Sequence, residues 1–182
     1  IRLFLSNRNG SLYSMVRYQL GWQTQDGEEI HESHQHRPLP LLCLLTCEGL
    51  GGDSKEAISF ATAVELAHNF YQVHDDIKNG SPNRRSKPTI WWLWGPAQAI
   101  NAGDALHALS RLSIFYPNNS TPDSLATQAL YCLDKACLET CEGDFADLTF
   151  VEKIDISVQK YLDMIQDKTG ALLGSGARLG AM

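Results

Sequence analysis

Apolar and polar positions along this chain repeat with a helical rather than a strand period. Tyr13 to Leu20 reads as a short helix, and the polar stretch from Gly21 to His36 has no periodicity and reads as a loop. Pro38 suits a first helical position, where its missing N–H would have had no intrahelical partner. Leu39 to Leu50 continues that helix until Gly51-Gly52 stops it. Asp53 with Glu56 three residues later has the form of a capping box opening the next helix. Along that helix apolar or small residues recur at Ala57, Phe60, Ala61, Val64 and Tyr71, the spacing of one helical face, and the pattern ends at Asp75-Asp76. Gly80 to Pro88, rich in Ser, Pro and Asn, reads as a loop. Ala97 to Phe115 predicts a fourth helix, with Gly103 tolerated inside it, and Pro117 to Pro122 breaks the chain. Asp123 or Ser124 can cap a fifth helix running to about Glu142, and Val158 to Met182 predicts a last one. Period-two alternation and internal repeats are both missing. The pattern predicts an all-α bundle with a site in its core.

Composition narrows the function classes. A chain of 182 residues suits one domain or part of a larger one. Its 43% apolar and 20% charged residues are ordinary for a globular protein. The net charge of -6 disfavours a general nucleic-acid binder, because a phosphate backbone needs a basic surface. A local basic cluster still suits a small anionic substrate. No window approaches the roughly 18 consecutive apolar residues of a membrane span, and no signal-peptide pattern follows Ile1. Cys43, Cys47, Cys132, Cys137 and Cys141 form no C-x-x-C. Two i, i+4 pairs among them would fit metal ligation only with histidines in support, so buried reduced thiols are expected, consistent with a cytoplasmic location. Asn118-Asn119-Ser120-Thr121 contains glycosylation sequons, which a surface loop explains equally well.

The chemistry concentrates where the third helical pattern ends. His68 and Tyr71 fall near the meridian of Asp75, and Asn79 lies one turn beyond it. Carboxylates on a buried helical face are costly unless compensated, and a hard divalent cation is the usual compensator. Arg84-Arg85 follow in the next loop and supply planar donors suited to phosphate oxygens. Together these residues describe a site that holds a metal-bridged polyphosphate above an apolar pocket. The competing reading is a solvated helix end whose charges face water, but the aspartate pair ends the apolar stripe rather than lying opposite it.

Further blocks lie in a recognisable order. His68 and His74-Asp75-Asp76 lead into Arg84-Arg85-Ser86-Lys87-Pro88-Thr89, then Trp91, Gly95, Gln98-Ala99 and Gly103-Asp104-Ala105-Leu106. Arg37-Pro38-Leu39 and Gly51-Gly52-Asp53 precede them. Cys141-Glu142-Gly143 to Asp147-Leu148 and Met164-Ile165 to Lys168-Thr169 follow. From about Tyr18 to the last residue the chain resembles trans-isoprenyl diphosphate synthases, the polyprenyl synthetase family. The resemblance implies an isoprenoid-synthase-type helical bundle with a central active-site cavity, with residues 1–182 as a single domain. It also implies a second Asp-rich helix well downstream of Lys168-Thr169. None appears before Met182, so an incomplete form of a longer protein is expected.

The resemblance further implies Mg²⁺ as cofactor, with Asp75, Asp76 and the fifth motif position, Asn79, as metal-site residues. Asp75, Asp76, Lys168 and Thr169 are the catalytic residues it implies. His34, Arg37, His68, Arg84, Arg85 and Lys168 would bind substrate, Arg84 and Lys168 gripping the allylic diphosphate and the others isopentenyl diphosphate. A helical homodimer is implied as well. Two positions depart from the family pattern: Asn79 is neutral where an Asp is usual, and His34 stands in the place of a Lys. Three functions are consistent with this. The first is a magnesium-dependent prenyltransferase condensing an allylic prenyl diphosphate with isopentenyl diphosphate to a C10 to C15 product. The others are a terpene-cyclase-like lyase acting on one prenyl diphosphate, and a non-catalytic regulatory subunit of a prenyl synthase. Chain length is assigned to Phe70 and Tyr71. A helix of about 5.4 Å pitch puts Tyr71 one turn below Asp75 and about 40° around, across the pocket floor. Phe70, about 140° away, is expected to pack against a neighbouring helix.

Overall fold

The computed structural model describes residues 1–31, 36–116 and 122–182. In chain order the helices are α1 (Arg2–Leu5), α2 (Ser11–Gln19), α3 (Pro38–Gly49) and α4 (Ile58–Lys78). A two-stranded hairpin follows, β1 (Asn83–Arg84) and β2 (Lys87–Pro88), and then α5 (Ile90–Trp94), α6 (Pro96–Ser113) and α7 (Asp123–Phe150). The chain finishes with α8 (Val158–Ile165), a π-helical turn (Gln166–Gly170) and α9 (Ala171–Gly180). No helix among the described residues is long and apolar enough to cross a membrane.

The axis of the bundle is α4, which packs against α3, α6, α7 and α9. Its position follows from its sequence, because apolar or small residues occupy nearly the whole circumference from Phe60 to Ala67. Phe60 and Val64 join Leu39, Cys43, Leu133, Leu172 and Leu179 in one cluster. Leu66 and Val73 join Val16, Tyr18, Ile90, Leu106 and Leu109 in a second. Burying Phe60, Val64, Leu66 and Val73 alone contributes about 10 kcal/mol before chain entropy is set against it. Small residues set the closest approach: α6 buries Ala99, Ala102 and Gly103. A Cβ on Gly103 would overlap the His74 imidazole of α4.

Several elements differ from the sequence expectation. Asp53 does not open α4: its Oδ1 accepts from the Lys55 N–H at 2.9 Å, and residues 54–57 form a turn before Ile58. The short Asp side chain satisfies a local turn, which competes with helix capping. The loop after Asp76 contains the hairpin, pairing Asn83 with Pro88 and Arg84 with Lys87. Arg85 and Ser86 at its tip have φ of 52° and 61°, the left-handed pair that suits the twist of a two-residue hairpin. Strands of two residues are too short to show alternation. The short helix α5 fills the interval before Gly95. The long helix α7 runs past Glu142 to Phe150. The final helical stretch is broken by the π turn and ends at Gly180. Four cysteines are buried as expected, but Cys141 is exposed.

Candidate functional site

His68, Tyr71, Gln72, Asp75 and Lys78 recur at helical spacing along one face of α4 and line a cavity of about 510 Å³. The opposite walls come from Leu39 of α3, Thr140 and Asp144 of α7, Lys168 and Thr169 of the π turn, and Leu172 and Leu173 of α9. Asn79 and Arg84 complete the lining. Apolar residues therefore share one cavity with a dense set of charges. The π turn reaches α7 because position 143 is a glycine. A Cβ there would lie 2.7 Å from the Lys168 Cα and 2.8 Å from the Asp167 carbonyl carbon.

Three cations and four carboxylates interlock around the charged part of the cavity. Arg84 is held by the hairpin so that its Nη2 donates to Asp75 Oδ2 and its Nε to Asp76 Oδ1, each at 2.7 Å. Asp75 Oδ1 also accepts from Asn79 Nδ2 at 2.7 Å. Lys168 Nζ lies 2.6 Å from Asp147, 3.0 Å from Asp144 and 3.7 Å from Asp75. Lys78 pairs with Asp144. Burial pushes the Asp76 carboxyl above the usual range, opposed by the Arg84 hydrogen bond and charge. Burial lowers the Lys78 pKa against the pull of Asp75. For Arg84 burial also disfavours the charge, but the two aspartates outweigh it and hold the guanidinium firmly protonated.

The residues singled out from the sequence divide into two groups. Asp75, Asn79, Arg84, Lys168, Thr169, His68 and Tyr71 all line the cavity. His68 is paired with Gln72 at 2.6 Å, and its pKa is lowered to about 4, first by burial and then by Arg85 and Arg84, so the ring is neutral. The Tyr71 hydroxyl donates to the Cys137 carbonyl and is 3.5 Å from Cys141 Sγ, which fixes the ring between α4 and α7. The other group lies off the lining. Asp76, 3% exposed, sits behind Asp75 on Arg84. Arg37 bonds the buried Glu65 and donates to the Leu20 carbonyl at 2.7 Å, with its guanidinium over Trp22. Arg85 is exposed at the hairpin tip. Phe70 packs against Tyr71, His74 and His107 at centroid distances of 4.5, 4.8 and 4.9 Å. His34 lies outside the described residues.

Sequence reasoning missed Lys78, Asp144, Gln72 and Glu65. Lys78 and Gln72 could have been found, since they sit three residues on either side of Asp75 on its own face. Asp144 lies inside the Cys141 to Leu148 block, but its pairing with Lys78 depends on α7 crossing α4. No group of three or more His, Cys, Asp or Glu converges on a metal position among the described residues. Magnesium commonly takes only one or two protein carboxylates and completes its shell with water and substrate phosphate. Asp75, with 27% of its side chain exposed on the cavity wall, fits that part; Asp76, held by Arg84 behind it, does not face the cavity.

A sequence model of polyprenyl synthetases matches residues 25–182. The chain belongs to the polyprenyl synthetase family. Among curated members it is 36% identical over 171 residues to a geranylgeranyl diphosphate synthase of Mycobacterium tuberculosis, covering 94% of this chain and 48% of that protein. It is 35% identical to a (2E,6E)-farnesyl diphosphate synthase of Mycobacterium bovis, covering 92% and 46%. The chain thus spans about half the length of these relatives. The polyprenyl synthetase of Streptomyces coelicolor superposes with a TM-score of 0.88 at 32% identity, over 99% of this chain and 52% of that one. The geranylgeranyl pyrophosphate synthetase of Geoglobus acetivorans gives 0.88 at 34%, over 100% and 55%. The polyprenyl synthetase fold of the chain is therefore an isoprenoid-synthase-type helical bundle.

Proposed function

We propose that this chain carries the allylic-substrate side of a magnesium-dependent prenyl diphosphate synthase. The observation that carries the reading is one cavity in which Arg84, Lys168 and Asp75 meet an apolar wall of Tyr71, Leu172 and Leu173. A prenyl diphosphate has the same division, two phosphates on an apolar chain. Asp75, together with the substrate's own oxygens, would hold magnesium, which would supply positive charge to the departing diphosphate. The guanidinium of Arg84 and the ammonium of Lys168 donate to the same oxygens, Lys168 exchanging Asp75 and Asp147 for phosphate while one of its three N–H groups stays on Asp144.

The C1–O bond breaks with its electron pair going to the diphosphate. The isopentenyl double bond closes on C1, and the resulting cation loses a proton to the released diphosphate. The apolar wall keeps water from capturing the cation, and the neutral His68 adds no positive charge beside it. Asp76 positions Arg84, and Thr169 belongs to the same wall. Tyr71, pinned by its hydroxyl, limits the chain to C10 to C15. Arg37, Arg85, His68 and His34 are assigned to isopentenyl diphosphate, and a cytoplasmic homodimer belongs to the same reading.

Incubation of the protein with magnesium, geranyl diphosphate and isopentenyl diphosphate, followed by chromatography, tests it. A condensed product is expected, and Asp75→Ala should lower turnover by orders of magnitude with an unchanged circular dichroism spectrum. Near wild-type turnover in that variant would remove Asp75 from the site. One observation favours a lyase instead: Arg37 and Arg85 lie off the cavity lining, and Arg37 is engaged with Glu65. Hydrocarbon formed from the allylic diphosphate alone would select that reading.

A further inference from the structure

The lining of the cavity carries three cations, Lys78, Arg84 and Lys168, against two carboxylates, Asp75 and Asp144. These cations are not equally free to turn toward a ligand. Arg84 is divided between Asp75 and Asp76, and its two hydrogen bonds hold the hairpin to α4. Lys168 is shared among Asp75, Asp144 and Asp147. Lys78 pairs with Asp144, and Asp144 keeps Lys168 at 3.0 Å as a second partner. If Lys78 leaves Asp144, that carboxylate stays neutralised, so this exchange leaves no buried charge alone. Lys78 also retains 35% side-chain exposure, and it stands beside Asn79, where the motif lacks a negative charge. A neutral amide is a weak magnesium ligand, while an ammonium on the same helical face offers positive charge and N–H donors to a phosphate.

We infer that Lys78 is a diphosphate-binding residue, swinging from Asp144 to a phosphate oxygen and supplying charge that the Asn79 position is poorly suited to hold as metal. The inference rests on the diphosphate reading of this cavity and adds a partly metal-independent mode of binding to it. Removing a charge-assisted hydrogen bond of this kind weakens binding by about tenfold to a hundredfold.

Calorimetric titration with inorganic diphosphate, in EDTA and again in magnesium, tests the assignment. Wild type should bind diphosphate in EDTA. Lys78→Gln should weaken that binding by at least tenfold, and by less in magnesium, while Lys78→Arg retains it. Asp144→Asn frees the ammonium and should tighten metal-free binding. The double variant, Lys78→Gln with Asp144→Asn, removes the pair without leaving a lone charge. It should melt near wild type and still bind weakly. Recovery of metal-free binding in the double variant would overturn the inference, because Lys78 would then serve only to neutralise Asp144. Equal metal-free binding by wild type and Lys78→Gln would overturn it too. Prenyl transfer measured in parallel separates the two layers. Transfer without metal-free diphosphate binding defeats the Lys78 assignment alone; metal-free binding lost in Lys78→Gln, without transfer or hydrocarbon product, defeats the enzymatic reading and leaves Lys78 standing.

Discussion

Gly143→Ala probes the contact that brings Lys168 to the cavity. The new Cβ would stand 2.7 Å from the Lys168 Cα and 2.8 Å from the Asp167 carbonyl carbon, and both are backbone atoms that no rotamer change can move. Restoring an ordinary carbon–carbon separation displaces the π turn by about 1 Å. Overpacking of this kind costs about 1–3 kcal/mol, and replacing a helical glycine returns about 1 kcal/mol. The net loss is therefore about 0–2 kcal/mol, at most about 8 °C in melting temperature for a chain of this size. The ion pairs suffer more. Lys168 sits 2.6 Å from Asp147 and 3.0 Å from Asp144, and an outward shift of about 1 Å takes both beyond hydrogen-bond range. Diphosphate affinity by calorimetry should fall about tenfold while the melt falls only a few degrees. Gly174→Ala is the control, because its Cβ meets nothing within 4 Å and it lies inside α9. That variant should be neutral or slightly stabilised. A Gly143→Ala protein with a raised melting temperature and unchanged diphosphate affinity would refute the reasoning.

Three further outcomes can be checked. Asn79→Asp replaces the donor to Asp75 Oδ1 with a second carboxylate. It should lower the melting temperature in EDTA through like-charge repulsion and lower the magnesium concentration giving half-maximal activity; no change in either means that position 79 does not face the metal. Tyr71→Ala removes the ring pinned to Cys137 and should lengthen the products seen by chromatography, so an unchanged distribution from a folded, active variant rules out the plug. Protonation of His68 should destabilise the fold in acid. Its folded pKa of about 4 lies below the ordinary 6.5, so the unfolded chain binds the extra proton and stability is lost as pH falls from about 6.5 to 4. Up to about 3 kcal/mol is at stake, and His68→Gln should flatten that part of the denaturation profile against pH; an identical profile would show that His68 is not the titrating group.

How much was legible in the sequence can be judged element by element. The apolar runs of α3, α4 and α6 are set by near neighbours, and a period of 3.6 puts Asp75, Tyr71 and His68 on one face whatever surrounds them. The Arg84-Arg85 pair and the order of the motif blocks carried the resemblance to the family, whose sequence model matches residues 25–182. Other features depended on partners distant in the chain. Glu142-Gly143 looked like a helix end, because glycine weakens a helix locally, yet α7 continues since that glycine admits the π turn. Asp53 was misread because a cap and a turn use the same side chain. Arg37 pairs with Glu65, and Asp144 with both Lys78 and Lys168, because packing brings residues far apart in the chain within reach of one another. Sequence alone determined the helical period and the place of the acidic motif on it. Only the tertiary structure decided which cation neutralises which carboxylate, since ion pairing depends on the separation between helices, and long-range burial of apolar faces sets that separation.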